Sequence, residues 1–189
     1  MAKYTYKKAH NAFEKMIKSA KKICSEKEFV HGIWTDKDGF QYVTDGHRIY
    51  RLGGFGQPEP LDGFPEVKDQ EDIDAFMADI DKDFENGEFV QLEVPGVDEM
   101  KEYQKRRRSK DTTIAAPWFV HKESNTLIYD FGFGMPCINV QFLLDALEFL
   151  PDGKLYARRC KNSYNKPMLL KSYYGDAVLF PMVMSHKKK

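Results

Sequence analysis

The order in which helix and strand patterns follow one another constrains this chain more than any single motif does. A strand, a helix and a β-hairpin recur up to three times, near residues 3–52, 88–131 and 135–184. Repetition of one supersecondary unit predicts that the copies pack against one another and share a core. We therefore expect an α+β fold, with antiparallel sheets and with the helices on one face of them.

The first unit opens with the segment "KKAHNAFEKMIKSAKKIC", residues 7–24, in which apolar residues recur at the spacing of one helical face. The other face is basic. It keeps the helix soluble or faces nucleic acid, since every neutralised phosphate releases counterions and strengthens binding. The residues that would face DNA are Lys7, Lys8, Lys15, Lys18 and Lys22.

A second basic run ends the short helix predicted in "VDEMKEYQKRRRSK". The helix dipole alone favours cations at a helix C-terminus, so this run is compatible with a purely structural role. Its alternative role is again contact with DNA phosphates. The residues concerned are Lys105, Arg106, Arg107 and Arg108.

The net charge of zero conceals a division along the chain. Residues 57–88 hold twelve carboxylates and two lysines, whereas the rest of the chain holds 27 basic and 17 acidic residues. Apolar residues at helical spacing predict an acidic amphipathic helix from about residue 70 to 85, ended by Asn86-Gly87. This helix is either a solvated element packed by its apolar stripe, or an appended element that covers a surface or repels nucleic acid locally.

Several further elements can be placed from local patterns. "EFVHGIWT" and "GFQYVTDG" predict a hairpin, and a second hairpin turns at Glu123-Ser124-Asn125. "INVQFLLDALEFL" predicts a helix with Asn139 as its N-cap candidate. "GEFVQLEVPG" is a strand candidate, and the chain closes with the β-rich runs "KLYARRCKN", "PMLLKS" and "DAVLFPMVM".

The segment Thr44–Arg48 looks like a catalytic loop, because it combines a hydroxyl, a carboxylate, an imidazole and a guanidinium. A hydrolase or nuclease that uses Asp45, His47 and Arg48 is therefore one hypothesis. Neighbours on a strand point to opposite faces, however, and no second carboxylate–histidine cluster occurs in the sequence. The three cysteines also lack the spacing of a zinc site. We expect no catalytic centre, no metal and no cofactor.

Three segments carry a resemblance to a known family. "VTDGHRIYRL" resembles the Thr-Asp-Gly-His-Arg-Leu stretch in the middle domain of the bacterial sliding clamp, the beta subunit of DNA polymerase III. "INVQFLLDALEFL" is similar to the last helix of that clamp. "GDAVLFPMVM" is similar to its closing strand, in which a hydrophobic pair precedes Met-Pro-Met. The segments occur in the family's order.

The resemblance implies a DNA clamp fold, in which basic helices line a ring around duplex DNA and continuous sheets lie outside. It implies three parts here: a clamp-like half unit in residues 1–56, an acidic insertion in 57–88, and a clamp-like domain in 89–189. Chains this short would close a ring as homo-oligomers. Since the N-terminus lacks the apolar run of a signal peptide, we expect a cytoplasmic protein.

In the resembled family, the Thr-Asp-Gly-His-Arg segment and the closing strand form two walls of a hydrophobic pocket that accepts short peptides of polymerases and other DNA-handling proteins. Gly46 would let the backbone turn, and apolar side chains would form a floor for leucine or aromatic anchors. Carried over by position, one wall is Thr44, Gly46, His47, Arg48 and Ile49, and the other is Leu179, Phe180, Pro181 and Met182.

The resemblance therefore implies a processivity or tethering factor that binds double-stranded DNA as an oligomer and docks clamp-binding peptides of DNA polymerase or other replication and repair proteins. A second hypothesis keeps the fold without the ring. In that case the chain is an adaptor, or a competitor, that binds partner peptides only. The acidic stretch favours this second hypothesis, because negative charge near a DNA channel lowers affinity.

Overall fold

The fold is described from a computed structural model of the chain. The described residues are Asn11, Lys15, 32–35, Asp38, 40–53, 70–109, 114–132, 134–160 and 163–182. The helices are α1 (Gln70–Glu85), α2 (Val97–Arg108) and α3 (Val140–Phe149). The strands are β1 (Gly32–Thr35), β2 (Gln41–Thr44), β3 (Arg48–Leu52), β4 (Phe89–Gln91), β5 (Trp118–His121), β6 (Thr126–Asp130), β7 (Cys137–Asn139), β8 (Lys154–Arg158), β9 (Met168–Lys171) and β10 (Gly175–Leu179).

These strands form two antiparallel sheets. A seven-stranded sheet has the order β1-β2-β3-β10-β9-β8-β4, and a three-stranded sheet has the order β5-β6-β7. The larger sheet joins the first and last parts of the chain, because β3 pairs with β10. The α+β class and the antiparallel sheets expected from the sequence are confirmed.

Local signals account for where α1 ends and where α3 begins. After α1, Gly87 adopts φ +74°, the Glu88 amide donates to the Asp83 carbonyl and the Gly87 amide donates to the Phe84 carbonyl. This is the Schellman arrangement, which glycine favours because it has no Cβ. At the start of α3, the Asn139 side chain accepts a hydrogen bond from the Gln141 amide at 2.9 Å. Both the helix end at Asn86-Gly87 and the Asn139 cap are therefore confirmed.

One face of the seven-stranded sheet packs against α2, α3 and the smaller sheet. Its core contains Val43 and Tyr50 from the sheet with Leu143 and Phe149 from α3, all at most 1% exposed. The Tyr50 and Phe149 rings stack with their centroids 5.0 Å apart. This face is the main hydrophobic core of the described chain.

The opposite face of the same sheet is covered by α1. The apolar stripe of α1, which includes Ile73, Met77 and Ile80, packs against strand residues that alternate with those of the main core. Those strand residues are Tyr42, Ile49, Phe89, Leu169 and Val178. The expectation that helices lie on one face is therefore wrong for α1. The helix is acidic yet its stripe is apolar enough to bury the second face of the sheet.

The pairing of β3 with β10 depends on a glycine. Gly175 lies opposite Leu52, and a Cβ added to it would come within 2.1 Å of the Arg51 carbonyl oxygen. We expect Gly175→Ala to lower the free energy of unfolding by about 3 kcal/mol, since one of the two strands must shift. Urea denaturation would measure the loss. Gly96→Ala is the control, because the nearest atom to its Cβ is 3.9 Å away. Equal effects of the two variants would contradict this prediction.

Within the described residues, no helix is both long enough and apolar enough to span a membrane.

Candidate functional site

The turn between β2 and β3 is held by its own side chains. The Asp45 carboxylate accepts hydrogen bonds from the backbone amides of His47 and Arg48, at 3.0 and 3.1 Å. The Thr44 hydroxyl donates to the Arg48 carbonyl at 3.0 Å and accepts from the Gly46 amide at 3.1 Å. Gly46 adopts φ +78°, a conformation that favours glycine. The motif therefore specifies a tight, rigid turn.

Arg48 anchors this turn to helix α3. Its Nε donates to Asp45 Oδ2 at 2.9 Å, and its Nη1 donates to Asp145 Oδ2 at 2.6 Å. The guanidinium carbon also lies 4.5 Å from the centre of the Phe142 ring. Burial by itself would lower the pKa of Arg48, but Tyr50, Asp45 and Asp145 outweigh it and raise that pKa above its ordinary value. Arg48 is thus a buried, permanently charged residue that links the turn to α3.

The closing segment of the chain lies directly beside this turn. Leu179 of β10 pairs with Arg48 of β3, and the Phe180 amide donates to the His47 carbonyl at 3.0 Å. Beyond it, the Met182 amide donates to the Cys137 carbonyl of β7 at 2.9 Å. The two segments, more than a hundred residues apart in sequence, are therefore adjacent in the fold. We refer to residues 44–49 and 179–182 together as the junction.

The sheet divides the side chains of the junction between its two faces. Arg48 and Leu179 belong to the side of the main core, whereas Ile49 and Phe180 belong to the side of α1. Thr44 pairs with Ile49 and therefore shares the α1 side. Ile49 and Leu179 are 4% and 0% exposed, so they do not form a common open floor.

The accessible part of the junction is its rim. Gly46 and His47 are exposed, and Phe180, Pro181 and Met182 are half-buried. The His47 ring stacks on Phe142, with the ring centroids 5.8 Å apart. An apolar segment next to an exposed imidazole and backbone is a suitable contact surface for a short peptide with bulky anchors.

Three residues that contact the junction were missed by the sequence reasoning. Phe142 and Asp145 are three residues apart and so lie on the same face of α3, where both contact Arg48. Phe76 of α1 stacks on Phe180, with ring centroids 5.9 Å apart. The helical spacing of Phe142 and Asp145 was visible in the sequence, but their partner across the fold was not.

The residues expected to face DNA are placed unevenly. Lys15 is exposed and forms an ion pair with Glu148, and Arg106 forms one with Glu102 of its own helix. Arg107 donates to the Asn125 carbonyl, while Lys105 and Arg108 are exposed. The other four expected residues, Lys7, Lys8, Lys18 and Lys22, lie outside the described residues.

A groove of about 1190 Å³ lies between α2, α3 and the helical residues Asn11 and Lys15. Its lining carries cations and carboxylates in equal number, together with apolar residues such as Leu144 and Leu147. The cations are Lys15, Lys101, Lys105 and Arg108, and the carboxylates are Asp98, Glu102, Asp145 and Glu148. This groove is therefore electrostatically mixed.

Cys137 provides a chemical test of packing beside Met182. Burial, with a further contribution from Asp130, raises the pKa of the Cys137 thiol to about 11. At pH 8 this leaves about a hundredfold less thiolate than an ordinary cysteine has. We expect iodoacetamide to modify exposed Cys160 much faster than Cys137, as followed by peptide-resolved mass spectrometry. Equal rates at the two cysteines at pH 8 would contradict this placement.

In the part of the chain that the structure describes, no group of three or more His, Cys, Asp and Glu side chains is arranged to hold a metal ion. Comparison of the chain with protein-family models, curated proteins and solved structures finds no match.

Proposed function

We propose that this protein is a sliding-clamp-like factor. It docks short hydrophobic peptides of polymerase-type partners at the junction and tethers them to double-stranded DNA as a homo-oligomer. In this proposal the fold is a variant of the DNA clamp fold, and the protein does not catalyse a reaction. His47, Asp45 and Arg48 then have structural and binding roles.

The contact between the two parts of the junction supports this proposal most. The resemblance implied that the segments 44–49 and 179–182 form two walls of one pocket, and therefore that they lie close together. The hydrogen bond from the Phe180 amide to the His47 carbonyl joins them at 3.0 Å. The order of elements also agrees with a repeated unit of this kind: β4-α2-β5-β6 is a strand, a helix and a hairpin, and β7-α3-β8-β9-β10 repeats this order with one additional strand.

The chemistry of the rim suits a peptide. The half-buried side chains of Phe180, Pro181 and Met182 offer apolar surface, and Met adapts its shape to different anchors. The exposed imidazole of His47 offers a hydrogen-bonding edge for the backbone of the peptide. A leucine or aromatic anchor buried here would supply most of the affinity, as is usual for a few central contacts in an interface.

The DNA-tethering part of the proposal depends on the end of α2, where Lys105 and Arg108 are exposed. We expect Lys105→Glu/Arg108→Glu to weaken association with duplex DNA and to flatten its salt dependence. Lys154→Glu/Lys166→Glu is the matched control, because both lysines are exposed on other elements. Retention on circular DNA, lost after linearisation, together with a native mass above that of a monomer, would support an encircling ring.

The second candidate is the non-encircling adaptor that binds peptides only. It is favoured by the charges of α2 and α3, which together carry five basic and five acidic residues. A neutral pair of helices gives no long-range attraction to phosphates. A monomer that binds peptide but shows no salt-sensitive association with DNA would support this adaptor and contradict the tethering factor.

A further inference from the structure

We infer that α1 is a tethered occupant of the peptide-docking surface at the junction, and that the segment that displaces it is itself acidic and amphipathic. This inference rests on the proposed function, because it concerns the regulation and the partner of the same site. It gives the acidic stretch a role: α1 competes in cis with the partner peptide.

The first observation is that α1 already fills the apolar side of the junction. Phe76 stacks on Phe180 at 5.9 Å between ring centroids and 22° between ring planes. Beneath the helix, Ile49 is 4% exposed. An aromatic side chain from α1 thus holds the position in which a partner's aromatic anchor would contact Phe180.

The second observation is that α1 and the sheet face it covers carry complementary charges. Arg51 Nη1 and Nη2 donate to the two Asp81 oxygens at 2.5 and 2.7 Å, and Arg158 pairs with Asp83 at 2.5 Å. Lys171 lies 3.9 Å from Asp81. The sheet face therefore presents cations beside an apolar patch, and it matches a segment that carries carboxylates next to an apolar stripe.

The third observation is that Arg51 has a carboxylate partner that does not belong to α1. Arg51 is also hydrogen-bonded to Asp176, whose carboxylate belongs to β10, so it stays paired when Asp81 departs. The Asp81 and Arg158 side chains are 34% and 22% exposed, so water reaches both. The Asn86-Gly87 turn connects α1 to β4, so the helix stays linked to the sheet by the chain when a partner takes its place.

An occupant of this kind lowers the apparent affinity of the protein for a partner peptide. If the open form is a small fraction of the molecules, the apparent Kd rises by the inverse of that fraction. Weakening α1 should therefore strengthen peptide binding, which is the opposite of what damage to a binding site does. An increase in peptide affinity after α1 is weakened therefore distinguishes a competing helix from a helix that forms part of the binding site.

The test uses two labelled synthetic peptides and the full chain. One peptide has the sequence of residues 70–85, and the other is a short peptide with neighbouring leucine and phenylalanine anchors. The opened variant is Phe76→Ala/Asp83→Asn. Asp79→Asn is the matched control, because Asp79 is an exposed carboxylate on the same helix. Fluorescence anisotropy gives the affinity, and hydrogen exchange of the α1 amides reports release of the helix.

We expect the opened variant to bind both peptides at least about tenfold more tightly than the unaltered chain, with no change for Asp79→Asn. We also expect either peptide, added in excess to the unaltered chain, to speed exchange of the α1 amides, a measurement that does not depend on any variant folding. Equal affinities of the opened and unaltered chains, or no faster α1 exchange, would overturn this inference and leave the proposed function standing. Absence of binding to all forms would overturn both.

Discussion

Replacing Asp45 by alanine is expected to lower the free energy of unfolding by about 3–5 kcal/mol, the usual cost of removing one partner from a buried ion pair. Asp45 is 1% exposed and accepts hydrogen bonds from the His47 amide, the Arg48 amide and the Arg48 guanidinium. The variant removes all of these and leaves the Arg48 charge, 4% exposed, with Asp145 as its remaining carboxylate partner. Urea denaturation followed by circular dichroism would measure the loss.

The matched control is Asp145→Ala, which removes the other carboxylate of Arg48. The Asp145 side chain is 34% exposed, so water can replace much of what it supplies, and we expect a loss of about 1 kcal/mol. If Asp45→Ala were no more destabilising than Asp145→Ala, Asp45 would not be the residue that holds the turn between β2 and β3 together.

Replacing Met182 by aspartate is expected to abolish peptide binding, with an affinity loss of at least about 30-fold, or 2 kcal/mol. The half-buried methionine lies at the rim of the junction, where a peptide anchor would have to desolvate the new carboxylate. Anisotropy titration with the leucine–phenylalanine peptide gives the affinity. This loss is expected for both the tethering factor and the adaptor.

The control for that substitution is Met182→Leu, which keeps the apolar surface and should bind within a few-fold of the unaltered chain. Because the Met182 amide donates a hydrogen bond to the Cys137 carbonyl, the folding of both variants should be compared by thermal denaturation. Full binding by a folded Met182→Asp protein would exclude the rim of the junction as the peptide contact.

Much of the local structure could be predicted from the sequence, because its signals are local. Helical spacing and Asn86-Gly87 predicted α1 within the bounds observed, and Asn139 caps α3 through its own side chain. The turn at Glu123-Ser124-Asn125 separates β5 from β6, as expected from its polar residues between two β-rich runs. Each of these depends on contacts within a few residues.

What escaped prediction depends on long-range packing. The apolar stripe of α1 predicted which face of the helix is buried, but not which surface it packs against. That α1 covers the second face of the seven-stranded sheet was therefore unexpected. The strand β7, only three residues long, has too little length for a periodic signal. The contacts of Phe142 with Arg48 and of Phe76 with Phe180 join separate elements, and no spacing in the sequence encodes them.

The same limit applies to the candidate site. The resemblance selected nine residues as one pocket, but alternation along β3 and β10 sends Ile49 and Leu179 to opposite faces. A strand pattern predicts that neighbours alternate, yet it does not say which face stays open. In this protein α1 covers one face and the main core the other, so the rim is the part of the junction that stays exposed while α1 is in place.

Photocrosslinking would show directly whether a peptide docks at the junction. A peptide with leucine and phenylalanine anchors, carrying a photoreactive group beside the aromatic anchor, is irradiated with the chain, and the crosslinked residues are identified by mass spectrometry. We expect crosslinks at His47 and at residues 180–182, lost in Met182→Asp and kept in Met182→Leu. Crosslinks confined to the groove between α2 and α3, unaffected by Met182→Asp, would contradict docking at the junction.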